Sequence, residues 1–216
     1  MEEKNNLKQL VLSLTNKCQL NCIHCYNKNR NDVLLSFKNS IKIINDAVDL
    51  GLNVLVLSGG EPFLEKELLF RIIDYVKDSS IKMIVTSNGY DLDKKSIKRL
   101  KKINNIKLQI SIDGSNSYVH NKIRGKNSFE RAIRSIHLAL DNQISMSVMF
   151  VIFKSNYKDF KNFLSLMKTL NIKDIGLERF ITKYNSQELS INELKKFYAD
   201  IDKLNSNYNL NIHLNT

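Results

Sequence analysis

The 216-residue chain carries 33 Lys and Arg against 22 Asp and Glu, a formal net charge of +11, and 43% of its residues are hydrophobic. That length and hydrophobic share suit one globular domain with a full core and exclude a disordered segment. No apolar run approaches the ~20 residues that span a bilayer, and Met1-Glu2-Glu3-Lys4 does not open a secretory signal, so the expected compartment is the cytoplasm, with no membrane partner.

Residues 7–14 form an apolar run too short for a helix and are predicted as a first strand. A loop over residues 15–33 follows and holds all three cysteines, Cys18, Cys22 and Cys25. From the N-cap candidate Ser36, Phe37, Ile41, Ile44 and Val48 recur at helical spacing until Gly51 ends the pattern. Residues 52–57 read as a strand covered on both faces, as in a parallel sheet, and lead into Gly59-Gly60-Glu61-Pro62.

Leu64, Leu68, Ile72 and Val76 mark the next helix, and residues 81–85 a third strand that ends near Asn88-Gly89. Lys94, Lys95, Lys98, Arg99, Lys101 and Lys102 then ride on a helix whose apolar side is Ile97, Leu100 and Ile103. No aromatic residues interleave with these bases for stacking, so they read as a solvated outer face, and nucleic acid is not an expected partner. The charge suits an acidic peptide or protein instead.

The fourth strand, residues 106–112, ends in Ser111-Ile112-Asp113-Gly114. A helix over 128–140, a strand over 144–153, a helix marked by Phe160, Phe163, Leu164, Met167 and Leu170, and a strand over 172–177 complete the alternation. Ser190-Ile191-Asn192-Glu193 is a capping box that opens a last helix. Six strand–helix units in succession require parallel strands joined by crossovers. The predicted fold is α/β, an open, partial (β/α)6 TIM-like barrel forming one domain over residues 1–216. Every motif lies just past the C-terminal end of a strand, the functional rim of such folds.

Three thiols at spacings of four and three can converge as thiolates on a soft metal or an iron–sulfur cluster. Zinc would need a fourth ligand, which His24, lying between two of the cysteines, is badly placed to supply. A disulfide framework does not suit an odd number. A cluster held by three cysteines leaves one iron open for chemistry. The glycines of Gly59-Gly60-Glu61 let a backbone approach a ligand closely, or simply make a tight turn.

Cys-x3-Cys-x2-Cys after a first strand, Gly-Gly-Glu-Pro after a second and Ser-Ile-Asp-Gly with a following Ile-Arg-Gly after a fourth together resemble the signatures of the radical S-adenosylmethionine (radical SAM) enzymes. In motif style the sequence is similar to the branch that matures ribosomally made peptides and proteins, although no cysteine follows Cys25 to form that branch's cysteine-rich module. The resemblance implies a [4Fe-4S] cluster on Cys18, Cys22 and Cys25, with S-adenosylmethionine bound to its open iron. Gly59, Gly60 and Glu61 would meet the cofactor's amino group, and Ser111 and Arg124 its carboxylate. The backbone at His24 would contact the adenine, and Asn88 the ribose or the substrate edge, unless Asn88-Gly89 is only a turn.

An external electron donor such as flavodoxin or ferredoxin, reductive cleavage to a 5′-deoxyadenosyl radical, and hydrogen abstraction from a peptide or protein follow from the same resemblance. A glycyl-radical-enzyme activase is the alternative within the enzymes. A basic zinc-binding interaction protein is the alternative from another class, and it leaves Gly59–Glu61, Ser111 and Arg124 without a role.

Overall fold

Each of the six predicted strands is a strand in the computed structural model, which describes residues 7–27, 33–181, 187–208 and 210–215. Residues 28–32 of the expected cysteine loop lie outside these. The strands are β1 (Gln9–Ser13), β2 (Val54–Ser58), β3 (Lys82–Ser87), β4 (Ile106–Ser111), β5 (Met146–Ile152), β6 (Asp174–Arg179) and β7 (Asn211–Asn215). They pair in chain order, every neighbour parallel. The helices between them are α1 (Phe37–Asp49), α2 (Lys66–Val76), α3 (Lys94–Leu100), α4 (Ser117–Arg124), α5 (Ser128–Asp141), α6 (Phe160–Thr169) and α7 (Ile191–Tyr208). The result is a curled half-barrel whose two edges, β1 and β7, do not meet.

Two elements go beyond the sequence expectation. The seventh strand, β7, has only two apolar residues among its five, Ile212 and Leu214, too few for the sequence pattern to mark it. Helix α4 buries His120, Ile123 and Arg124, a face with one aliphatic residue, so its period carries no hydrophobic signal. The expected caps are present: Ser36 accepts from the Asn39 N–H at the start of α1. At α7, Ser190 N–H donates to Glu193 Oε2 at 2.8 Å and Glu193 N–H to Ser190 Oγ at 3.3 Å.

The two faces of the sheet differ in chemistry because side chains alternate along each strand. Outward, Leu55, Leu57, Val85, Leu108, Ile110, Val148, Phe150, Ile175 and Leu177 pack with Ile44, Ile72, Ile97, Ile136 and Phe163 of the helices, all nearly or fully buried. Each such side chain contributes about 1.5–3 kcal/mol on burial. Inward, polar side chains stand among aliphatic ones such as Val56, Ile84 and Met149. Thr86 Oγ1 donates to Gln109 Oε1 at 3.1 Å, and Gln109 Nε2 to Ser147 Oγ at 3.5 Å. Lys107 meets Asp174 at 2.6 Å, and Asn211 Nδ2 donates to the same carboxylate at 3.1 Å. These residues floor an open trough whose rim carries the motifs.

The basic helix α3 lies on the outer surface, as its pattern predicts. Arg99 stacks over the Phe70 ring at 4.0 Å and pairs with Asp74 at 2.9 Å. Among the described residues no helix is long and apolar enough to cross a membrane.

Candidate cluster and cofactor site

The cysteine loop leaves β1 and closes on itself before it crosses the barrel mouth. Asn16 N–H donates to Val33 O at 3.0 Å and Leu35 N–H to Leu14 O at 2.8 Å, with Thr15 and Leu34 bridged. The loop's first residues lie on the turn after β2: Gly60 N–H donates to Thr15 O at 2.6 Å and Glu61 N–H to Lys17 O at 2.8 Å. A Cβ on Gly59 would stand 2.5 Å from Thr15 O, and one on Gly60 2.1 Å from Lys17 O. Both glycines are therefore required by the loop's own backbone. The sequence predicts close approach here; the partner that the structure supplies is the cysteine loop.

Glu61 turns inward. Its carboxylate is fully buried and accepts from Phe63 N–H at 3.1 Å, Ser87 Oγ at 2.9 Å and Asn88 N–H at 2.8 Å, which ties the turn after β2 to the end of β3. Burial pushes this carboxyl up to about 7, against the three donors, which favour the anion. Asn88 sits beside it. Its Oδ1 accepts from Tyr90 N–H at 2.8 Å and Gln19 Nε2 at 3.2 Å, and its Nδ2 lies 3.5 Å from Cys18 Sγ. The turn expected at Asn88-Gly89 is thus present, and the amide also reaches the cysteine loop.

On the opposite side of the mouth lies a buried charge pair that sequence reasoning missed in part. Asp113, the third residue of Ser111-Ile112-Asp113-Gly114, is fully buried, and its Oδ2 accepts from Arg124 Nε at 2.6 Å. Its Oδ1 accepts from Val151 N–H at 2.9 Å, its N–H donates to His120 Nδ1 at 3.0 Å, and its carbonyl accepts from Asn156 Nδ2 at 3.0 Å. Burial alone would raise the Asp113 carboxyl; the charge of Arg124, with His24, His120 and the Val151 N–H, holds it below the usual range. Because His120 Nδ1 is an acceptor, the ring is neutral with its proton on Nε2. Burial, then the nearby guanidinium, push His120 down to about 3. The signal for Asp113 was in the motif; the carboxyl of a strand-end Asp, followed by Arg on the next helix, invites a pair.

Ser111 ends β4 on the inward side, alternating with the buried Ile110 and Ile112, and opposite Met149 of β5. Arg124 lies at the end of α4, where the far side of the cysteine loop docks. Ile23 N–H donates to Ile123 O at 2.9 Å, and Cys22 Sγ lies 3.8 Å from Arg124 O. Ile23 also packs with Ile123, Val151, Phe153 and Phe180, and His24 meets the Phe153 ring at 5.2 Å between centroids. The loop thus spans from the β2 turn to α4 and brings Cys18 and Cys22 beside Asn88 and Arg124.

None of the three cysteines is in a disulfide. Burial pushes the Cys22 thiol up to about 11, Arg124 opposing, and Cys18 and Cys25 lie within electrostatic reach of it. Among the described residues no three His, Cys, Asp or Glu side chains already stand in metal-holding geometry. The donor set is three thiols on one loop beside a guanidinium and N–H donors. That chemistry fits an anionic thiolate-bound cluster better than a zinc ion, which would want a fourth protein ligand.

The profile of the radical SAM superfamily matches residues 12–167, from β1 through α6, which includes all of these groups. The chain belongs to the radical SAM superfamily. Radical SAM enzymes bind a [4Fe-4S] cluster and S-adenosylmethionine, the cofactor pair expected from the motifs. The chain is 26% identical over 205 residues to the Fe-coproporphyrin III synthase of Methanosarcina barkeri, covering 89% of this chain and 50% of that protein. It is 31% identical over 174 residues to the antilisterial bacteriocin subtilosin biosynthesis protein AlbA of Bacillus subtilis, covering 79% and 38%. Among solved structures it is similar to Streptococcus suis SuiB bound to S-adenosylmethionine, with a TM-score of 0.85 at 19% identity, over 98% of this chain and 51% of that one. The chain spans about half the length, or less, of these radical SAM proteins.

Proposed function

We propose that this radical SAM chain holds its cluster on Cys18, Cys22 and Cys25 and acts on a ribosomally made peptide. The observation that supports the site most strongly is the seating of the cysteine loop across the barrel rim, pinned on the Gly59-Gly60 turn and docked on α4. When bound, the cluster and S-adenosylmethionine supply a carbon radical that removes hydrogen from substrate. The protein's share is placement. In this reading the carbonyls of Gly59 and Gly60 accept from the cofactor's amine, while the Glu61 carboxylate holds the turn that presents them. Arg124, its Nε held by Asp113, gives its remaining N–H donors, with the Ser111 hydroxyl, to the cofactor's carboxylate. The backbone at His24 faces the adenine.

The peptide substrate draws support from AlbA and from SuiB, which has been solved bound to the precursor peptide SuiA. The gap between β1 and β7 gives an extended chain lateral entry, and a net charge of +11 favours an acidic one. A reducing cytoplasmic setting and an external one-electron donor such as flavodoxin or ferredoxin complete the proposal. Similarity to Fe-coproporphyrin III synthase favours, as the second reading, a small-molecule substrate.

For this chain acting alone, with the three thiols of the cysteine loop already given to one cluster, a redox-neutral outcome, such as hydrogen return after epimerisation, is proposed over net oxidation. The test is mass spectrometry of candidate peptides after reaction with reduced, reconstituted protein in deuterated water. One deuterium gained at a peptide carbon supports the reading. A product lighter by two hydrogens contradicts the redox-neutral claim, and turnover of a free metabolite but no peptide contradicts the substrate claim.

A further inference from the structure

The end of β3 places an amide against a sulfur. Tyr90 N–H can only donate, so the Asn88 atom facing it at 2.8 Å is the oxygen, and the same oxygen accepts from Gln19 Nε2 at 3.2 Å. That assignment fixes the amide the other way round: the NH2 group is the part turned toward Cys18 Sγ, 3.5 Å away. The Leu20 N–H donates to the same sulfur at 3.4 Å. Asn88 is nearly buried, at 8% exposed, so its N–H dipole acts on the sulfur with little screening by water. Its backbone is anchored too, through its N–H to the Glu61 carboxylate at 2.8 Å.

We infer that Asn88 is a tuning residue for the iron–sulfur cluster: its side-chain N–H donates to the Cys18 thiolate and makes the cluster easier to reduce. The inference rests on the assignment of Cys18, Cys22 and Cys25 as ligands. One-electron reduction adds one negative charge to the cluster and its thiolates, and an N–H aimed at a ligand sulfur stabilises the more negative state. Gln19 acts through Asn88, because it grips the amide oxygen and so keeps the nitrogen turned to the sulfur. A residue serving only the turn would need the oxygen alone.

Two substitutions separate these roles. Asn88→Asp keeps an oxygen for Tyr90 and Gln19 but sets an anionic oxygen where the N–H stood. Asn88→Ala removes the donor without adding charge. The experiment is a redox titration of the anaerobically reconstituted full chain, with dithionite as the electron source, read by the EPR signal of the reduced cluster, alongside iron and sulfide analysis. The expected result is cluster content like wild type with a more negative midpoint in both variants, the larger shift in Asn88→Asp. Should Asn88→Asp fail to take up iron, Asn88→Ala alone reads the shift. An unchanged midpoint in a cluster-loaded variant would overturn the inference, as would failure of both variants to hold a cluster that the wild type holds. If the wild type itself takes up no cluster, the cysteine assignment fails first, and iron analysis distinguishes that outcome.

Discussion

On the β2–β3 side of the barrel mouth, the cysteine loop rests on backbone: two glycines without room for a Cβ, and peptide N–H groups at 2.6 and 2.8 Å from the carbonyls of Thr15 and Lys17. On the β4–β5 side, the same loop docks where a buried carboxylate and guanidinium, 2.6 Å apart, hold α4 to the sheet. The first side tolerates no added atom; the second tolerates no lost charge. Steric and electrostatic restraint thus share one loop, and different substitutions should separate them.

The largest effect is expected at Gly60. Gly60→Ala would place a methyl group 2.1 Å from a backbone oxygen that no side-chain rotation can clear, so the cysteine loop must leave its seat. Iron and sulfide uptake should fall to background while circular dichroism keeps the helix and strand content. Normal uptake would show that the glycine side of the comparison is overstated.

Next comes Asp113→Ala, which strands the Arg124 charge in a buried site. Loss of one partner of a buried pair costs about 3–5 kcal/mol, to be read as a lower denaturant midpoint. Arg124→Lys sharpens the same point. It keeps a cation for Asp113 but loses the planar fork, so titration calorimetry should show S-adenosylmethionine affinity weakened by about 1.5–3 kcal/mol, with a smaller loss of stability than in Asp113→Ala. Equal affinity would remove Arg124 from the cofactor site.

The smallest effect is expected at Glu61. Both its oxygens accept, so Glu61→Gln turns an NH2 toward existing donors and should destabilise by about 1–3 kcal/mol. The pH dependence carries a sign. The Glu61 carboxyl is raised from 4.5 to about 7, so its contribution is fully present below 4.5 and is lost as pH rises through 7. His120 is lowered from 6.5 to about 3, so its contribution is present above 6.5 and is lost as pH falls toward 3. The two oppose each other between pH 4.5 and 6.5. Glu61→Gln should therefore unmask a loss of stability on acidification below pH 6.5; denaturant midpoints as flat as those of the wild type would contradict it.

Much of the fold was legible because its parallel strands show either a near-continuous apolar run, as at 52–57, or strict apolar–polar alternation, as at 106–112. What escaped notice lacked that signal. The inward face of β7 and the buried face of α4 are polar, His120 and Arg124 included, and packing of polar groups leaves no hydrophobic period. Within the site, spacing pointed to the cysteines, the Gly-Gly-Glu-Pro stretch to a close backbone approach, and the family resemblance to Ser111 and Arg124. It could not show that Glu61 faces inward to three donors, or that Asp113 is the partner of Arg124. Those facts depend on which strand ends lie side by side, and β2 beside β3 and β4 beside β5 is a matter of topology.

The central claim is that Cys18, Cys22 and Cys25 together hold one cluster at the rim of this radical SAM barrel. Its most direct test is iron and sulfide analysis of anaerobically reconstituted protein, wild type beside a variant with all three cysteines replaced by Ala. About four irons and four sulfides per wild-type chain, and none in the variant, is the predicted result. A variant that keeps its cluster, or a wild type that binds one zinc and no sulfide, would contradict it.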